Sequence, residues 1–334
     1  MIRKSYLVSA LLLLLIVGLA VGGASAQSLT IYSGRSENLI GPVFEMFTEQ
    51  TGIQLNVRYG DTAELAATIL EEGRNSPADI YFAQDAGALG ALDANNRLQT
   101  IASEYLDQVD PRLRAANGSW IGISGRARVV AYNTNYVSED ELPDSIWGFL
   151  EPEWQGRIGW APTNGSFQAF ITALRVLEGD ARAEQWLRGI MANQPRVYRN
   201  NTTTVEAVGR GEVHAGFVNH YYLFRFMAEQ GEDYPVRHLY TTSDAGSMIN
   251  IAGIGVLDVA RDDAAVAEFI QFLLTSEVQK HFTAENAEYP VVLGMTADRY
   301  LLLPLEEINT PDIDLSNLED LEGTLELLFN VGAL

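Results

Sequence analysis

The sequence predicts an α/β protein of two lobes joined by two crossing strands. Three observations lead there. Its 334 residues exceed one ordinary domain and leave room for two. β-prone runs alternate with segments of helical period, the pattern of a largely parallel sheet flanked by helices. A long apolar and polar alternation over 122–133 and a second run over 249–256 suit a chain passing from one lobe to the other and back.

The leader comes first. Arg3 and Lys4 precede an apolar run from Tyr6 to Val21, and Ala24-Ser25-Ala26 offers small residues where a signal peptidase reads. Residues 1–26 are expected to be a signal peptide removed before Gln27. The alternative is an uncleaved anchor, although the apolar run is shorter than the ~20 residues a spanning helix needs. Export is expected in either case, to the periplasm or another extracytoplasmic place.

Leu29-Thr30-Ile31-Tyr32 then reads as a strand, Ser33-Gly34-Arg35-Ser36 as a polar loop, and Leu39, Val43, Phe44 and Phe47 as the apolar face of a helix. Ile53 to Val57 alternates as a second strand, and Thr62 to Glu72 reads as a helix stopped by Gly73. Ala78 to Phe82 is a third strand with Gln84 and Asp85 beyond its end. Ligand groups in such sheets gather past the strand C-termini, so Arg35, Gln84 and Asp85 are expected to share one edge. The run 122–133 is the first crossing.

Beyond it Arg157 to Trp160 predicts a strand, Pro162-Thr163-Asn164-Gly165-Ser166 a loop, and Phe167 to Leu177 a helix. Val205 to Gly209 looks helical, and Ala215 to Val218 predicts a buried strand ending in Asn219-His220-Tyr221-Tyr222. Ile249 to Val256 crosses back, followed by a helix over Ala264 to Leu274 and a strand over Tyr289 to Val292. Leu315, Leu318, Leu321, Leu325 and Leu328 predict one amphipathic helix in the tail. The expected division is an N-terminal lobe of 27–125 with 250–300 and a C-terminal lobe of 126–249 with 301–334.

Composition excludes several functions. Acidic residues outnumber basic ones 44 to 22, a formal charge of -22, which argues against a nucleic-acid partner. Loss of the leader would remove Arg3 and Lys4 and no acid. With no cysteine, disulfides, thiolate metal sites and Cys nucleophiles are excluded, and a metal must be held by oxygen or nitrogen. His214, His220, His238 and His281 fall in no H-E-x-x-H spacing, and neither a G-x-S-x-G elbow nor a Walker loop is present. Nothing in the sequence points to an enzyme.

Tyr221 and Tyr222 are the most informative residues, because adjacent tyrosines just past a buried strand can turn two phenol oxygens into one cleft. Phenolates are hard oxygen donors, and Fe(III) would lower their pKa from ~10 enough to deprotonate them. Core or interface aromatics with hydroxyls on water are the plainer alternative, and a surface position is the plainer one for His220. Asn164, Gly165 and Ser166 precede a helix, where free backbone N–H groups attract an anion or simply form a cap. Asn200-Asn201 before Thr202 repeats that pattern, and Arg35 and Arg126 are candidate anion partners through paired N–H donors.

Jointly these segments resemble the ferric-ion-binding proteins of ABC transporters, the bacterial-transferrin branch of the periplasmic solute-binding family. The resemblance covers nearly the whole mature chain. It is carried by Ile31-Tyr32-Ser33-Gly34-Arg35, Ser76-Pro77-Ala78-Asp79, Gly125-Arg126-Ala127-Arg128, Tyr132-Asn133-Thr134, Pro162 to Phe167, Asn219-His220-Tyr221-Tyr222 and Glu288-Tyr289-Pro290-Val291. It implies the two-lobed periplasmic-binding-protein fold with two crossover hinge strands, Fe(III) held by Tyr221 and Tyr222, and a synergistic anion, carbonate or phosphate. The anion would be held by Asn164, Gly165, Ser166, Asn201, Asn219, Arg35 and Arg126.

Two ligand positions of relatives are changed: Arg35-Ser36 stands where some carry a histidine, and Gln84 where they carry a glutamate. A third tyrosine of other members is replaced by Asn164. Ser33, Ser36, Gln84, Asp85 and Tyr132 are additional cleft candidates, with Asp85, Glu37 and Tyr132 as substitute ligands and a bidentate carbonate expected between Arg35 and the Asn164 loop. The expected function is an exported, monomeric, non-enzymatic binding protein that delivers Fe(III) to an ABC permease. The alternative is a metal-free binder of a small anion or of an organic solute such as thiamine or a polyamine.

Overall fold

The computed structural model describes residues 27–242, 244–297 and 301–334; the expected signal peptide lies outside the described residues. β1 (Ser28–Ser33) pairs in parallel with β2 (Gln54–Tyr59) and with β3 (Ile80–Ala83). α1 (Glu37–Thr51) and α2 (Thr62–Glu72) connect them. α1 buries Ile40, Val43, Phe44 and Phe47, one face of a 3.6-residue period, and ends where Gly52 turns left-handed at φ 76°. Asp61 starts α2 by accepting from the Ala63 N–H at 3.0 Å. α3 (Ala86–Ala94) follows β3 and is capped by Asp85.

β4 (Trp120–Asn133) is buried along its whole length and serves two sets of partners in turn. Its residues 120–127 pair antiparallel with β9 (Ile249–Val256), which pairs with β3. Its residues 128–132 pair with β7 (Ala215–Asn219) and 130–133 with β8 (Val236–Leu239). β5 (Ile158–Trp160) lies parallel to β7 and to β6 (Arg196–Val197). The strand order is β2-β1-β3-β9-β4-β7-β5-β6.

α4 (Gly165–Glu178), α5 (Asp180–Ala192), α6 (Asn201–Gly209) and α7 (Tyr221–Gln230) accompany β5 to β7. α8 (Asp263–Leu273) and α9 (Ser276–Asn286) follow β9, and α10 (Leu321–Asn330) closes the chain. Two aromatic cores result. Phe44, Phe47, Phe82, Phe269 and Phe272 interlock with ring centroids 5.0 to 6.0 Å apart. Phe149, Trp154, Trp160, Phe167, Phe170, Trp186 and Phe217 form the other. The molecule is thus two-lobed, with β4 and β9 crossing between the cores.

Two expected elements differ. Tyr289 to Val292 is no strand; among the described residues its strand-like pairing is limited to two isolated bridges, Tyr289 with Gly125 and Val292 with Val109. Pro290 has no N–H to offer, and the Val291 N–H is taken by the Gln279 side chain at 2.9 Å. The tail is a short 3₁₀ turn, Leu315–Leu318, followed by α10 rather than one helix. Asp320 divides them, because its carboxylate accepts from the Gly323 N–H at 2.9 Å and restarts the helix.

The two tail pieces have different seats. The carbonyls of Ser316 and Leu318 lie directly against Gly90 and Gly87 of α3, where any Cβ would collide with them. α10 rests on α4, tied by Thr172 to Thr324 at 2.8 Å and by Arg175 to Asp320 at 2.8 Å. No helix among the described residues is long and apolar enough to cross a membrane.

Candidate metal centre

A cavity of about 790 Å³ opens between the starts of facing helices. Asp61, Thr62, Gln84 and Asp85 line one wall; Asn164, Gly165, Ser166, Asn219, Tyr221 and Tyr222 line the other, with Arg126 of β4 between them. Helix N-termini carry unpaired N–H groups and the positive end of the dipole, so their convergence favours negative groups inside. Glu319 and Glu322 of the tail complete the lining.

Neighbours in a helix ordinarily point about 100° apart. At the start of α7 Tyr221 and Tyr222 nevertheless bring their rings to 4.4 Å between centroids, and the Tyr221 hydroxyl donates to that of Tyr222 at 3.3 Å. Burial raises the Tyr222 phenol well above its usual pKa, the Tyr221 hydroxyl adds to this, and Arg225 and Arg126 pull the other way. Tyr222 therefore keeps its proton at neutral pH. Two adjacent oxygens that become phenolates together suit a hard, highly charged cation.

Beside them runs a ring of polar side chains. Asn164 caps α4, its Oδ1 accepting from the Ser166 N–H at 3.2 Å and the Ser166 hydroxyl at 2.6 Å. Asn201 Nδ2 donates to Asn164 Oδ1 and to Ser166 Oγ, each at 2.9 Å. Asn201 Oδ1 accepts from the Asn219 N–H at 3.1 Å. Arg128 Nη1 closes the ring, donating to Asn219 Oδ1 at 3.2 Å and to Ser166 Oγ at 3.4 Å.

Arg126 reaches into the cavity from β4. Its Nη2 donates to the Gln84 carbonyl, and its buried Nη1 has no acceptor among the described residues. That orphaned donor, next to a ring rich in N–H groups, fits an oxyanion. Asp85 stands across the cavity. Burial raises its carboxyl, and Arg126 opposes the rise.

The structure thus brings Tyr221, Tyr222, Asn164, Gly165, Ser166, Asn219, Arg126, Gln84 and Asp85 to one cavity. Asn201 stands behind it in the ring.

Other expected site residues lie elsewhere. Arg35 is fully buried and paired with Glu288, and it is not among the residues that line the cavity. Ser33 is also buried, donating to the Arg35 carbonyl at 2.8 Å, while Ser36 and Glu37 are exposed at the start of α1. Tyr132 sits four residues along β4 from Arg128, about 13 Å at strand rise, and lines a separate cavity near Glu139 and Arg237. His220 is buried rather than on the surface. Its Nδ1 accepts from the Ala127 N–H at 3.1 Å and its Nε2 donates to the Ala287 carbonyl at 2.7 Å. Burial lowers its pKa to about 4.

Arg128 is the participant that sequence reasoning missed. Its two-residue offset from Arg126 was the available signal, since alternate strand residues share a face. It is 2% exposed, packed on Phe167 and Phe170, and donates to the Phe217 carbonyl at 2.7 Å. Burial lowers its pKa to about 9, against the pull of Tyr222 and Tyr221. Among the described residues no group of three or more His, Cys, Asp or Glu gathers to hold a metal, so a metal here would depend on the tyrosines.

Comparison with known proteins identifies the chain's relatives. Residues 43–299 match the bacterial extracellular solute-binding proteins. The Fe(3+)-binding periplasmic protein of Serratia marcescens is 33% identical, over 95% of this chain and 94% of that one. The major ferric iron-binding protein of Neisseria meningitidis serogroup A is 31% identical, over 96% and 97% of the two chains. Among solved structures, iron-bound HitA from Pseudomonas aeruginosa superposes with a TM-score of 0.84 at 35% identity, covering 92% of this chain and 99% of that one. A Trichodesmium FutA in complex with iron and citrate gives 0.80 at 29%, covering 91% and 99%.

Proposed function

The chain belongs to the bacterial extracellular solute-binding protein family, and from that premise we propose that it captures Fe(III) between its lobes for import by an ABC permease. The two relatives named above, matched over nearly their whole length, are named as ferric-iron-binding proteins, which does not favour the metal-free alternative of a small anion, thiamine or a polyamine. The observation that carries the reading is the pair of phenol oxygens, 3.3 Å apart, lining the cavity at the start of α7. Tyr221 and Tyr222 lose their protons and bind the ion. Fe(III) is cargo; the protein acts as a binder and leaves it chemically unchanged.

Two protein oxygens leave four corners of an octahedron, and a synergistic anion fills part of them. Carbonate or phosphate would be held by Arg126 Nη1, Asn219, Asn164 and the Gly165 N–H at the first position of α4. The free Gly165 N–H and the helix dipole both favour negative charge there. Asp85 supplies a carboxylate from the opposite wall. Closure brings the two walls onto the ion by rotation about β4 and β9, the hinge pattern of two-lobed binders. The lobes exchange near residues 125 and 250, and capture takes place outside the cytoplasm.

Adding Fe(III) with carbonate to the apo protein should give a visible phenolate-to-iron absorption. Tyr221→Phe with Tyr222→Phe should lose it and bind iron at least 10²-fold more weakly. A wild-type protein that stays colourless, or a double variant with an unchanged spectrum, would overturn the assignment.

A further inference from the structure

We propose that Arg128, which need touch neither ion nor anion, is the positioning residue that fixes the donor polarity of the anion cradle. The inference deepens the reading just given and relies on its anion site.

The argument starts from groups whose polarity admits no choice. A guanidinium can only donate, and so can a backbone N–H. Arg128 Nη1 therefore requires an oxygen at Asn219, which puts Oδ1 toward Arg128 at 3.2 Å and turns the two amide hydrogens away from it. The Asn219 N–H requires the oxygen of Asn201 at 3.1 Å, so both Asn201 amide hydrogens go forward to Asn164 Oδ1 and Ser166 Oγ. Ser166 Oγ accepts from Asn201 and Arg128 and spends its single hydrogen on Asn164 Oδ1 at 2.6 Å. Asn164 Oδ1 is then surrounded by donors, and the Asn164 amide hydrogens are left over.

The consequence is asymmetric. Ser166 and Asn201 are saturated and have no hydrogen left to give. Asn219 Nδ2 and Asn164 Nδ2 are the donors that remain, and both residues line the cavity. The ring thus presents donors only, which suits an oxyanion bearing full negative charge and disfavours a neutral ligand that also needs acceptors. Without Arg128 the Asn219 amide is free to flip and offer its oxygen. The charge matters as well. Arg128 is 2% exposed, and among the described residues no carboxylate pairs with it to cancel its field behind the cradle.

The test uses inorganic phosphate on the apo protein, followed by calorimetry, so that it needs no iron. Arg128→Met should raise the phosphate concentration for half-saturation at least tenfold. Arg128→Lys, which keeps the charge but cannot fork to two acceptors, should fall between. Ser166→Ala should change it less than Arg128→Met does. A folded Arg128→Met protein binding phosphate within twofold of wild type would overturn the proposal.

If Arg128→Met does not fold, the wild type decides. In ¹⁵N-labelled apo protein the side-chain amide protons of Asn219 and Asn164 should shift on phosphate addition while those of Asn201 stay put; the reverse pattern refutes the polarity. A protein that takes phosphate as expected yet never colours with Fe(III) defeats the iron reading and leaves Arg128's role standing. Absence of phosphate binding in the wild type defeats this inference directly.

Discussion

The guanidinium of Arg35 lies against the carboxylate of Glu288, 253 residues further along the chain, with Nη1 3.0 Å from Oε1 and both side chains buried. The first loop after β1 is thereby locked to the segment after α9. Breaking a buried pair from one side strands a charge and costs about 3–5 kcal/mol. Arg35→Met should lower stability by that order in urea denaturation while leaving the phosphate affinity of the folded protein within twofold. An anion-binding loss without a stability loss would restore Arg35 to the cradle.

Iron affinity should fall steeply with acidity. The Tyr222 phenol is raised above its usual pKa, so it is protonated in the apo protein throughout the neutral range and binding must expel the proton. Each expelled proton makes affinity fall about tenfold per pH unit lowered, and two tyrosines give about a hundredfold. Competition titrations between pH 6 and 8 should show this slope, reduced toward tenfold in Tyr222→Phe.

His220 predicts an acid sensitivity of the fold itself. Its folded pKa is about 4 against an ordinary 6.5, so between those values the unfolded chain takes up a proton that the native state refuses. The stabilisation is therefore full above pH 6.5 and lost progressively as pH falls toward 4, with about 2 kcal/mol gone at pH 5. Urea midpoints at pH 7.5 and 5 should differ accordingly, and His220→Gln should flatten that difference.

Gly87→Ala should destabilise, against helix propensity. Alanine in a helix interior ordinarily gains about 0.5–1 kcal/mol over glycine. Here the added Cβ meets the Leu318 carbonyl, and overpacking costs about 1–3 kcal/mol. Thermal unfolding of the variant should move to lower temperature, and deleting residues 315–334 from both proteins should reverse the difference, leaving the variant the more stable of the two.

Much of the fold was readable because burial leaves periodic traces. The apolar run at 249–256 coincides with β9, and Thr62 to Glu72 coincides with α2. Where side chains replace backbone pairing the trace misleads: Gln279 takes the N–H that would have made Val291 a strand residue. The tail leucines kept helical spacing across Asp320 although the cap breaks the helix there. In the site, Tyr221, Tyr222 and the Asn164 turn carried their meaning locally, since each sits at a strand end or helix start. The arginines did not. Arg35 and Arg126 are the same residue in similar polar loops or strands, and the distant Glu288 and Gln84 distinguish the one whose guanidinium is paired with a carboxylate from the one that donates to a carbonyl.

The seat of the tail also bears on how the jaws part. Its 3₁₀ turn meets α3 across bare glycine backbone, whereas α10 grips α4 through a charged fork and a hydroxyl pair. Any swing that separates those two helices must peel the smoother contact and leave the other in place. The turn at 315–318, with Leu315 and Leu318 buried and its carbonyls on Gly87 and Gly90, is then the part of the tail that such a swing has to unseat.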